Sequence, residues 1–141
     1  MAMIYVSHKF GGDPANMERA KKITHDLQVN DQENCYICPL IAFSHLGYNE
    51  IGHDEEMALC IDLLSVSDIL IVASDVSDGV QKEIDFARMV GMEVIDLAEE
   101  RRKIYPVKVS SFLPCLLPPL HHSYGGINRM QSDVNRAAFF V

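Results

Sequence analysis

Basic charge is scarce in this chain. Twelve lysines and arginines stand against 20 aspartates and glutamates, a formal net charge of −8, and no basic run exceeds Arg101-Arg102-Lys103. A long phosphate backbone needs a basic footprint, so a nucleic-acid polymer is not an expected partner. A single nucleotide stays open, because the backbone N–H groups of one helix end can outweigh net charge locally. Long apolar runs are also lacking. No window approaches the ~20 apolar residues of a membrane span, and the longest run, Ile69-Leu70-Ile71-Val72-Ala73, reads as a buried strand. The opening Met1–Gly12 does not read as a secretory signal, since Tyr5, Ser7, His8 and Lys9 interrupt its apolar stretch. The expectation is a cytoplasmic protein with no membrane partner and with reduced cysteines.

A metal-ligand set is missing as well. Cys35 and Cys38 form one CxxC, and no second CxxC completes it. They fall in the strand-like run Cys35 to Leu40, closed by Pro39, where side chains at i and i+3 point to opposite faces. They therefore read as buried structural thiols. His121-His122 has no third ligand at a suitable spacing and reads as a surface or interface pair. Neither a metal nor a cofactor is expected, and there is no internal repeat.

What is present suits one globular domain. The 141 residues are 48% apolar and 23% charged, with a mean hydropathy of +0.04, enough for a core of useful size. Ile4-Tyr5-Val6 reads as a first strand, followed by the loop Ser7 to Gly12. Asp13-Pro14 marks a helix start, with Met17, Ala20, Ile23 and Leu27 as its apolar stripe. After the second strand, residues 41–52 read as a loop with room for one helical turn. A second helix is expected from Asp54 to Val66, with Met57, Cys60, Ile61 and Leu64 apolar. Ile69 to Ala73 is the third strand, continuous in the manner of a strand covered on both faces. A third helix follows Ser74 to Gly79, with Val80, Ile84, Ala87 and Val90 on its core face and Gly91 at its C-terminal end. Met57 and Met89 read as core. Glu93 to Leu97 is the fourth strand. This β-α-β-α-β-α-β order predicts right-handed crossovers and an α/β, flavodoxin- or Rossmann-like three-layer sandwich around a parallel central sheet.

The character changes after Leu97. Residues 98–103 are charged and suit a helix, 104–109 suit a strand, 113–120 are apolar but proline-rich, and 128–140 suit a short helix. The reading is a domain over residues 1–97 with a 98–141 extension that packs on its own subunit or on a neighbour.

In an open parallel sheet, ligands bind beyond the carboxyl ends of the strands. The loops Ser7–Gly12, Leu40–Gly52 and Ser74–Gly79 meet there. In the last, a strand runs into Ser77-Asp78-Gly79 and a helix begins at once. Its first N–H groups lack intrahelical partners, Ser77 offers a hydroxyl and Gly79 allows close approach, which suits a phosphate or carboxylate. Ser77 or Asp78 as a plain N-cap explains the same residues equally well. Glu83, about one turn further, adjoins the core face. Near a helix N-terminus its ionised form is favoured, as a nucleophile requires. A solvent-exposed helix glutamate is the simpler alternative.

Taken together, Ile4-Tyr5-Val6-Ser7, Gly11-Gly12, Asn16, Ala20, Leu63-Leu64, Ser67-Asp68 and above all Ser77-Asp78-Gly79-Val80-Gln81-Lys82-Glu83 with Ala87 and Gly91 resemble the nucleoside 2-deoxyribosyltransferase superfamily. Within it the chain is nearest to small deoxyribosyltransferase-like domains and shares features with the deoxynucleoside 5′-monophosphate N-glycosidases. The resemblance covers residues 3–97. It implies a flavodoxin-like fold, a homo-oligomer with composite sites, and a nucleoside or nucleotide as small-molecule partner. It implies that Glu83 attacks C1′ of a 2-deoxyribosyl group in a retaining double displacement, and that Tyr5 positions that carboxylate. Ser77 would contact a 5′-phosphate, with Ser7, His8 and Gly11 in the first loop and Gly79 beside it. Asn128 would be lent to a neighbour's site.

One position departs from that pattern. Catalytic members carry an aspartate eight residues before the residue matching Asp68, to protonate the leaving base, and here that position is Cys60. Asp62 is about 200° further around the helix, which leaves His53, Asp54 or Glu56 as replacements. Without an acid, departure of the base is harder. Three functions therefore follow as expectations: an N-glycosidic-bond enzyme, a nucleotide-binding protein without turnover, or an accessory protein whose apolar tail is its working part.

Overall fold

A computed structural model describes residues 1–104. Four strands, β1 (Met3–Ser7), β2 (Cys35–Ile37), β3 (Ile69–Val72) and β4 (Glu93–Asp96), form one sheet in the order β2-β1-β3-β4. All three pairings are parallel. The helices are α1 (Pro14–Asn30), α2 (Pro39–Ala42), α3 (His53–Ser65), α4 (Asp78–Met89) and α5 (Leu97–Ile104). Strand order reverses between β1 and β3, so the loops after these two strands diverge and leave a crevice at their carboxyl ends.

Alternation along the strands sorts the core into two layers. Tyr5, Leu70 and Val72 face one way and pack with Leu64 of α3 and Val80, Ile84 and Ala87 of α4. Ile4, Val6 and Ile71 face the other way and pack with Ala20 and Leu27 of α1, with Cys38, and with half-buried Leu97 at the start of α5. This is the three-layer α/β sandwich expected from the sequence. Asp68 ties β1 to β3 at their starts: its carboxylate accepts from the Met3 N–H at 2.7 Å, and its own N–H donates to the Met3 carbonyl at 2.8 Å. Leu70 sits fully buried at the centre of β3. Leu70→Ala is expected to destabilise the domain by about 2–5 kcal/mol through lost burial and a residual cavity, read as a lower urea midpoint at unchanged slope.

The helix boundaries follow local chemistry. Asp13 caps α1, accepting from the Ala15 N–H at 2.9 Å, with Pro14 in the first turn. Gly91, at φ +74°, ends α4 by donating to the Arg88 carbonyl at 3.2 Å, while Met92 donates to Ala87 at 2.8 Å; together these form a left-handed Schellman stop. Asp96 caps α5, accepting from the Ala98 N–H at 2.7 Å.

Several expectations are corrected. β2 ends at Ile37, and Pro39 opens α2 rather than closing a strand, because proline's missing N–H costs nothing in a first helical turn. Cys35 and Cys38 are therefore divided between a strand and a helix cap. Both are free thiols, and no cluster of metal-ligating side chains occurs among the described residues. β4 ends at Asp96, with Leu97 already helical. Met89 and Val90 are exposed, not core: Met89 lies about 200° around the helix from Ala87, and Val90 is the cap beyond the last turn. Met57 is half-buried. Asn128, His121-His122 and the readings for 104–109, 113–120 and 128–140 lie outside the described residues, apart from Ile104 at the end of α5. No helix among the described residues is long and apolar enough to cross a membrane.

Candidate functional site

The site begins with strand alternation. Tyr5 and Ser7 stand two residues apart on β1, so both side chains leave the same face of the sheet. That face is covered by α4, where Val80, Glu83, Ile84 and Ala87 form the buried stripe. Glu83 is 5% exposed. Its Oε1 accepts from the Tyr5 hydroxyl at 2.6 Å, and its Oε2 accepts from the Ser7 hydroxyl. Both acceptor oxygens are thus held by neutral donors from one strand, 78 and 76 positions away in the chain.

Electrostatics at this triad is governed by burial. Loss of water raises the Glu83 carboxyl above the usual glutamate range, and the Ser7 and Tyr5 hydroxyls pull it back only in part. The expected helix-dipole preference for ionised Glu83 is overridden. The residue lies six positions past the Ser77 cap, beyond the first turn where that field is felt. Tyr5 is raised far above the ordinary phenol value by burial and by the Glu83 charge, so its hydroxyl stays protonated and donates to the carboxyl. The Cys60 thiol is pushed up to about 12 by burial and then by Glu83.

Glu83 borders a cavity of about 330 Å³, within the size range of small-molecule sites. One wall is the α4 N-terminus, Ser77 to Val80. The Ser77 hydroxyl caps the helix by accepting from the Val80 N–H at 3.4 Å. That bond is long, so the hydroxyl has capacity for a ligand while serving as a cap. Gly79 lies on this wall; a side chain there would press on the Met57 sulfur, 3.3 Å from the position of a Cβ. A second wall, adjoining the first at Met57, is α3, through His53, Glu56, Met57 and Cys60. The roof is the first loop, where His8, Phe10 and Gly11 border the cavity.

That loop is anchored from both sides. Asn16 of α1 donates to the Phe10 carbonyl at 2.9 Å. The Lys9 N–H donates to the Ser74 hydroxyl at 2.8 Å, and the Lys9 ammonium pairs with Asp75 at 2.9 Å. The His8 Nδ1 lies 2.7 Å from the Lys9 carbonyl. A carbonyl only accepts, so Nδ1 carries the proton and Nε2 is the acceptor of the neutral ring. Burial lowers the His8 pKa, favouring that neutral form. Gly12, at φ +72°, lets the turn pass beneath Tyr48; a Cβ would stand 3.0 Å from that ring.

An apolar lobe of about 80 Å³ adjoins the cavity and shares Phe10, Leu40, Tyr48, Glu56 and Cys60 with it. Phe10 and Tyr48 meet edge to face there, with centroids 5.5 Å apart and planes at 87°. The site therefore combines an aromatic lobe, a buried carboxyl and a helix N-terminus around one cavity.

The structure brings Tyr5, His8, Gly11, Ser77, Gly79 and Glu83 to one place. Ser7 is there in a different role. It belongs to β1, is fully buried and bonds Glu83, so it is not a loop hydroxyl available to a phosphate. The alternation Tyr5-x-Ser7 was the signal for this. Phe10 and Tyr48 carried no periodic signal, because their pairing depends on how the segment after α2 folds back over the first loop. Asp62 is exposed, as its helical phase requires, and Asp54 is exposed too. No family model, curated protein or solved structure matches this chain.

Proposed function

We propose that the protein cleaves or transfers at the N-glycosidic bond of a deoxynucleoside or deoxynucleoside 5′-monophosphate, with Glu83 as nucleophile. The observation that carries this reading is a buried glutamate whose two oxygens are held by Tyr5 and Ser7 and which borders a nucleoside-sized cavity. The resemblance to the nucleoside 2-deoxyribosyltransferase superfamily supplies the reaction class. The base would occupy the aromatic lobe and the sugar would lie against Glu83. A 5′-phosphate would meet the α4 N–H groups and Ser77.

The reaction is a double displacement. A Glu83 carboxylate oxygen bonds to C1′, and the electrons of the C1′–N bond leave with the base, which takes a proton. Water, or a second base, then attacks C1′ from the opposite face. It loses its proton, and the Glu83 carboxylate departs, so configuration is retained. Tyr5 and Ser7 hold the carboxylate in place at both steps. Incubation with a panel of deoxynucleosides and their 5′-monophosphates, followed by chromatography for free base, tests the reading; no base from any of them overturns it.

A second reading rests on Cys60. A thiol pushed up to about 12 is a poor proton donor at neutral pH, and a protein with no other donor would bind a nucleotide without turnover. Saturable binding without base release selects this reading. Ser77→Ala tests the phosphate position under either one. Affinity for a 5′-monophosphate is expected to fall about 10-fold, the loss of one hydrogen bond to a charged group, while affinity for the parent nucleoside is unchanged in calorimetry.

A further inference from the structure

One buried side-chain polar atom among the described residues has no partner: Oε1 of Glu56. Glu56 lies in the first turn of α3, and its backbone N–H donates to the Gly52 carbonyl at 3.0 Å. It borders both the Glu83 cavity and the aromatic lobe, so the residue belongs to the wall that those two spaces share. Its neighbours Asp54 and Glu55 are exposed and border neither. Cys60 is four residues on, hence on the same helix face, and borders both spaces too. An orphan carboxyl oxygen in a desolvated place is costly unless a ligand completes it. Oε1 itself is closed off from open space, so a turn of the half-buried Glu56 carboxyl would be what brings an oxygen to the ring nitrogens and exocyclic groups of a nucleobase in the aromatic lobe.

We propose that Glu56 is the proton donor to the departing base, one helical turn before the thiol of Cys60. The inference rests on Glu83 being the nucleophile. As the C1′–N bond breaks, the Glu56 carboxyl gives its proton to the base nitrogen that gains the electron pair. The resulting carboxylate then takes a proton from the water that attacks C1′, which restores the starting form. No other reactant is required. Glu56 is thus a catalytic residue on the base side of the sugar, and Glu83 is the catalytic residue on its far side.

The test compares two leaving groups. With 2′-deoxyguanosine, or its 5′-monophosphate if phosphate proves necessary, Glu56→Gln is expected to lower turnover about 10²-fold. With the N7-methylated form of the same substrate, the base carries a positive charge and departs without being protonated, so wild type and Glu56→Gln are expected to agree within a few-fold. Thermal melts confirm folding, and Glu56→Asp, which keeps an acid, should recover part of the lost rate. An equal loss on both substrates overturns the assignment, because it marks a structural role. So does an unchanged rate on the first, and in that case the Glu83 reading stands if Glu83→Gln is inactive. Absence of base release by the wild type from either substrate overturns both.

Discussion

Glu83→Gln is expected to abolish base release, by on the order of 10⁴-fold or more, without unfolding the protein. The amide has the shape of the acid but no nucleophilic oxygen, so the covalent step has no route. Stability should move the other way. Burial raises the Glu83 carboxyl, so the folded state binds that proton more tightly than the unfolded chain does. The associated stability is present below the unfolded pKa and is lost as pH rises through the folded one. Once ionised, the wild-type carboxyl is an unfavourable buried charge that glutamine does not carry. Tyr5 and Ser7 can serve an amide, since a hydroxyl both donates and accepts. The variant should melt no lower than wild type at pH 7, and any advantage should shrink as pH falls through the raised folded pKa and be gone below the unfolded value of about 4.3. An inactive variant that is also unfolded at pH 7 would contradict this account. Such separation of activity from stability is the usual mark of a residue held in place for chemistry.

Much of this arrangement was legible in the sequence, for definite reasons. The α/β order came from a change of period, from apolar runs such as Ile69–Val72 to helical stripes such as Val80, Ile84 and Ala87. The helical pattern alone favours an exposed Glu83 beside that stripe, so its burial is not legible from periodicity, while its pairing with Tyr5 is what the resemblance implies. Other features depend on chain elements that meet only after folding. The Cys35–Leu40 run contains a strand end and a helix start, and proline at a first helical position looks the same in sequence as proline ending a strand. Met89 has the apolar character of a core residue, but its helical phase turns it to solvent. Ser7 reads as a loop residue when the first strand stops at Val6; β1 runs to Ser7, which puts it beside Tyr5 on the Glu83 face. Glu56 was only one of three candidate acids, because its distinction is an oxygen without a partner, which no spacing reveals.

Tyr5→Phe is expected to separate the two hydroxyls' work. Phenylalanine fills the same fully buried space in β1, so packing is retained and only the 2.6 Å bond to Oε1 is lost. Leaving that buried oxygen unsatisfied should cost about 1–3 kcal/mol of stability. The loss should be larger at neutral pH than near pH 4, since the ionised carboxyl needs the donor more. One of the two interactions that pull the Glu83 pKa down is then gone, and burial still raises it, so the carboxyl should titrate higher than in the wild type. Turnover requires the ionised form, so activity is lost as pH falls through that pKa. In the wild type the acid limb should already lie above the ordinary glutamate value of about 4.3, and in Tyr5→Phe it should shift further toward neutral pH. At the optimum, the remaining rate should be about 10²–10³-fold below wild type, as for removal of one preorganised donor, because Ser7 alone no longer fixes the direction of attack. Ser7→Ala should shift the acid limb in the same direction. Combining the two should cost less than the sum of the separate losses, because both act on one carboxylate. A rate profile measured between pH 4 and 9 decides the matter. An acid limb unmoved in both variants would mean that the ionisation of Glu83 does not control turnover, and the nucleophile would then have to be sought elsewhere in the cavity.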